Sequence, residues 1–96
     1  MPSLPKRIKI LGKYYTIKYL DESGEDLGSC DSSKHEIVLY RQHEDSLKTT
    51  LLHEVVEAMD MAMEWDLEHK IITQLETTLF QIIKDNPKLI KYLQEK

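Results

Sequence analysis

The chain has 96 residues, 41% of them hydrophobic and 31% charged, with a formal net charge of -4. That length fits one domain around a single modest core, and the acidic balance argues against a general nucleic-acid binder. No run of about 18 apolar residues could span a membrane. The first seven residues lack the apolar centre of a signal peptide, and Cys30 is the only cysteine, so no internal disulfide forms and the cytoplasm is the expected compartment.

Met1 to Pro5, with prolines at positions 2 and 5, reads as a loose lead-in. Ile8 and Ile10 flank Lys9, the period of a short half-buried strand. After the turn Leu11-Gly12-Lys13, Tyr15, Ile17 and Tyr19 alternate with Thr16 and Lys18, completing a hairpin. Asp21 to Ser33 is acidic and rich in Ser and Gly, which predicts an exposed loop. His35 to Tyr40 is the third predicted strand, with Ile37 and Leu39 on one face. Gln42 to Asp45 connects to a helix that Asp45 or Ser46 would cap.

The first helix is expected from about Ser46 to Met63. Leu52, Val56, Met59 and Met63 form an apolar row, widened by Leu51, Val55, Ala58 and Ala62. His53, Glu57, Asp60 and Glu64 follow the same spacing on its flank. Trp65-Asp66-Leu67 makes the bend. A second helix, about Glu68 to Lys84, buries Ile71, Ile72, Leu75, Leu79 and Ile82 and carries His69 and Glu76 at the edge of that face. Asn86-Pro87 ends it and starts a short third helix, with Pro87 at the first helical position. The expected fold is α+β and a single domain: a three-stranded antiparallel sheet in residues 1–45, then two main helices and a short C-terminal one in residues 46–96.

His53 and Glu57 are four residues apart, so they share a helix face about 6 Å apart along the axis. An imidazole and a carboxylate so placed can hold one metal ion, with Glu54 near enough to act on water. A third ligand must come from the second helix, where Glu76 and His69 are the candidates. Roughly 10 Å of helix axis separates those two, so one ion takes only one of them. Glu76, mid-helix where two packed helices meet, is the favoured ligand, and His69 is then an outer partner or the alternative ligand. Polar residues on a helix flank are usually solvated, and it is their coincidence on two helices that points to a metal.

Thr49-Thr50-Leu51-Leu52-His53-Glu54, followed by an apolar-rich turn, resembles the active-site helix of zincin metallopeptidases. The likeness is to small phage and bacterial zincin-like proteins, minimal relatives of the gluzincins near the ImmA/IrrE group. It extends to the strand ending at Tyr40 and to Leu75 through Asn86. It implies a zincin-like fold, a zinc ion, a peptide or protein substrate, a glutamate ligand at Glu76, and a cytoplasmic setting in a bacterium or phage-infected cell. Glu54 would take a proton from water and pass it to the leaving amine. The strand Ile37–Tyr40 would hold an extended peptide at the sheet edge.

Glu57 departs from the pattern, standing where those peptidases carry a second zinc histidine. One His and two Glu weaken the ion's Lewis acidity and make manganese or iron plausible. With His69 in place of Glu76 the set becomes two His and one carboxylate, as in non-haem iron sites. Two other readings use the same residues. Glu54-x-x-Glu57-x-x-Asp60 resembles the magnesium-holding helix of all-α nucleotide pyrophosphatases, which the strands fit badly. A non-catalytic interaction protein on a degenerate zincin scaffold would instead use the acidic loop Asp21–Asp26. Nothing in the sequence sets the oligomeric state.

Overall fold

A computed structural model describes residues 3–96, so the lead-in is seen only from Ser3 onward, with Leu4 packed against the core. β1 (Arg7–Ile10) and β2 (Lys13–Leu20) form the expected antiparallel hairpin. Its turn has φ of 49° at Leu11 and 85° at Gly12. Two successive positive φ values give the twist a two-residue hairpin needs, at a steric cost to Leu11 that Gly12 escapes.

The class is α+β, but the sheet is mixed and four-stranded, correcting the expectation of three antiparallel strands. β3 (Gly28–Asp31) lies inside the stretch expected to be loop, and β4 (Glu36–Tyr40) pairs with it antiparallel. The order is β1-β2-β4-β3, with β2 and β4 parallel. Gly28-Ser29-Cys30-Asp31 has no apolar alternation and little intrinsic strand preference. It is a strand because its backbone pairs with β4, Cys30 lying opposite Ile37. Alternation in β2 and β4 identified their faces, not their direction. The stretch from Asp21 to His35 is long enough for the crossover that a parallel pair requires.

α1 (Glu44–Met63) crosses one face of this sheet. Leu47, Leu51, Glu54 and Ala58 recur at helical spacing, and all but Glu54 belong to the core with Ile10, Tyr15, Ile37 and Leu39. Ile37 and Leu39 have no exposed surface, so truncating Leu39 to Ala should cost about 2–5 kcal/mol. The helix starts two residues before its expected first residue. His43 is its N-cap without a side-chain cap, while the Ser46 hydroxyl, with one proton to donate, lies 2.9 Å from the His43 carbonyl and 3.0 Å from Gln42 Oε1.

α2 (His69–Asp85) packs on α1, and α3 (Pro87–Gln94) touches α2 alone. Asn86 precedes α3 but turns its amide back to the Ile82 carbonyl at 3.0 Å. No described helix is long and apolar enough to cross a membrane.

Candidate metal centre

Glu54 occupies a position on α1 that the helical pattern assigns to the core. It follows Leu47 by seven residues and precedes Ala58 by four, so it faces the sheet. Its side chain is 4% exposed, and Oε1 has no hydrogen-bond partner. Burial and the nearby carboxylate of Glu57 push its carboxyl pKa up to about 8, with smaller contributions from Asp26 and Glu76.

His53 and Glu57 lie one row further round, on the flank that meets α2. His53 Nε2 is 3.5 Å from Glu57 Oε1. Two ligands each about 2.1 Å from a tetrahedral ion stand about 3.4 Å apart, so this separation suits a shared metal. The other ring nitrogen, Nδ1, is 2.8 Å from Glu76 Oε1. An ionised carboxylate only accepts, so Nδ1 is the donor in that pair, and Nε2, on the Glu57 side, is the nitrogen a metal ion would take.

His53, Glu57 and His69 each offer one donor atom, all within 4.8 Å of one another. The His53 and His69 rings lie with centroids 5.3 Å apart. All four residues expected at the site line one cleft, together with Glu54. On α2, His69 is the residue grouped with His53 and Glu57, while Glu76 contacts His53 from the other side of its ring. His69 reaches in because the connector after α1 is sharply folded. Glu64 and Asp66 adopt φ of 55° and 56°, and the Asp60 carboxylate accepts the Leu67 N–H at 3.0 Å.

The cleft lies between α1, the start of α2, and β3, with a volume of about 640 Å³. β3 can approach α1 because residue 28 is glycine: a Cβ there would stand 2.9 Å from Thr50 Cγ2. Gln42 fastens the two, donating to the Leu27 carbonyl at 2.8 Å while its own carbonyl accepts from Ser46 and Thr50. Cys30 faces the carboxylates. Burial, then the charges of Glu54 and Glu57, push its thiol pKa up to about 12.

No family model, curated protein or solved structure matches this chain. Its chemistry is therefore read from the site itself.

Three of these features escape a reading of the sequence: the edge strand β3, the Gln42 clasp and the Asp60 clamp. The burial of Glu54 did leave a signal, a carboxylate in step with Leu47, Leu51 and Ala58. Two expectations also change. β4 is paired on both sides, so Ile37–Tyr40 is not a free edge, and the open edge by the cleft belongs to β3. Asp60 is engaged at the connector and does not line the cleft, which splits the Glu54-Glu57-Asp60 triplet needed for a pyrophosphatase.

Proposed function

We propose that this protein holds a divalent metal ion at His53, Glu57 and His69 and uses it to hydrolyse peptide bonds. The observation that carries this reading is the convergence of those three donors, from two helices, beside a buried carboxyl oxygen with no partner. Zinc is the first candidate, and manganese or iron also suits two imidazoles and a carboxylate. With His69 as the third ligand, the set carries one negative charge rather than two, which favours Lewis acidity.

A metal bound there would supply that acidity toward a carbonyl oxygen and toward water. Glu76 holds His53 in the tautomer that presents Nε2. Glu54 takes the proton from the attacking water and gives it to the leaving amine. Its raised pKa brings it into the range where a carboxyl exchanges protons near neutral pH. The free edge of β3 offers backbone groups to an extended peptide. Without an ion, Glu57, His53 and Glu76 could serve as a plain helix-to-helix clamp, but that reading gives no purpose to His69 or to the orphaned Glu54 oxygen.

The deciding experiment is metal analysis of untagged protein after reconstitution with zinc, manganese or iron. One ion per chain is expected, lost in His53→Ala, Glu57→Ala and His69→Ala. Glu76→Gln should retain the ion with affinity lowered about 10–100-fold. Absence of stoichiometric metal in the unmodified protein sinks the proposal. Loss of the ion in Glu76→Ala but not His69→Ala would restore Glu76 as the ligand. Glu54→Gln should bind metal and hydrolyse no peptide; undiminished hydrolysis removes the assigned base.

A further inference from the structure

The cleft beside His53 is lined by four carboxylates, Asp26, Glu54, Glu57 and Glu76, and by no lysine or arginine. One divalent ion leaves part of that charge unbalanced, and a cleft of low-dielectric walls concentrates the remainder. This is not simply a solvated acidic patch, because Glu54, one of the lining residues, is 4% exposed and has a buried oxygen with no hydrogen-bond partner.

Asp26 lines the cleft without belonging to the donor cluster, and its charge reaches Glu54. It lies two residues before β3 and shares the cleft with Ser46, Thr49 and Thr50. The segment before it is anchored: the Arg41 N–H donates to the Glu22 carbonyl at 3.0 Å, and the Arg41 guanidinium donates to Ser23 at 3.2 Å. Cys30 also lines the cleft, where the charges of Glu54 and Glu57 act on it. The chain bends at Asp26 and Leu27 and is extended from Gly28 through Cys30. A peptide added to the outer edge of β3 would run along the same span.

Resting on the peptidase reading above, we propose that the substrate is a basic peptide. Its backbone pairs with β3, and one of its lysine or arginine side chains meets Asp26. Arginine can engage the carboxylate through two parallel hydrogen bonds, whereas lysine offers a single charge.

The test uses eight-residue peptides identical except for Lys, Arg, Gln or Glu at each position in turn. Their binding to zinc-loaded Glu54→Gln protein is followed by amide shifts, so the answer does not depend on turnover. Lys and Arg at one position should bind at least about tenfold tighter than Glu, with shifts at Gly28, Ser29 and Cys30. Asp26→Lys should erase or invert the preference, while Glu95→Lys, the same charge change on the far helix, should leave it. Equal binding of all peptides, shifts away from β3, or equal effects of the two lysine variants overturn the proposal. Cleavage by zinc-loaded unmodified protein without charge preference would overturn it while leaving the peptidase reading intact. Failure to bind zinc, measured separately, removes that reading instead.

Discussion

Glu54 puts a carboxyl group where the helix pattern calls for a hydrocarbon, and the metal-free protein bears the cost. Its pKa is about 8 in the folded chain against 4.5 for the free group, so between those values the folded state binds more protons than the unfolded state. Stability from this residue therefore falls as pH rises from about 4.5 through about 8. Urea denaturation with a chelator at pH 5 and pH 8 should show Glu54→Gln gaining on the unmodified protein at the higher pH, by about 1–3 kcal/mol. A gain of the same size at both pH values would mean that the carboxyl is not held protonated. Cys30 reports on the same surroundings. With its pKa pushed up to about 12, almost none of it is thiolate at pH 8. Alkylation of the native metal-free protein should be at least about 100-fold slower than of the unfolded chain. Glu54→Gln should raise the rate. A fast native reaction, followed by mass spectrometry, would show an activated thiol instead.

At the scale of elements, two short-range devices set the site. The Gln42 amide spans β3 and α1, and the Asp60 carboxylate closes the α1–α2 connector on Leu67, two residues before His69. Asp60→Ala removes the second device without touching a donor atom. Zinc affinity should drop about tenfold, with faster amide exchange at Leu67 and unchanged hydrolysis per bound ion. Unaltered affinity would show that α2 is held by its packing alone. Such devices explain what the sequence could reveal. Helical spacing was enough to pair His53 with Glu57, because four residues on one helix fix their own geometry. It could not choose between His69 and Glu76, which depends on how α2 is rotated against α1, and that rotation follows from the connector's left-handed residues. The core face of β4 was legible from Ile37 and Leu39. β3 was not, since its strand character comes from a partner distant in the chain.

Across the whole molecule the candidate site is gathered on one side: β3 with the two residues before it, α1 and the first half of α2 line it. α3 stands outside it. None of its residues is buried, and Leu89, Tyr92 and Leu93 are 44%, 71% and 67% exposed. Exposed apolar residues on a helix that meets only its neighbour add little to a core. Eight residues are also too few to hold a helix by local propensity, so α3 depends on α2 more than α2 depends on it. A chain ending at Asn86 should fold, losing no more than about 1–2 kcal/mol in urea, with zinc affinity unchanged. It should also keep any preference for basic peptides, because Asp26 and β3 lie outside the deleted segment. A truncated chain that fails to fold would show that α3 braces α2, and through it His69. A truncated chain that folds but binds zinc weakly would place that bracing at the metal centre alone.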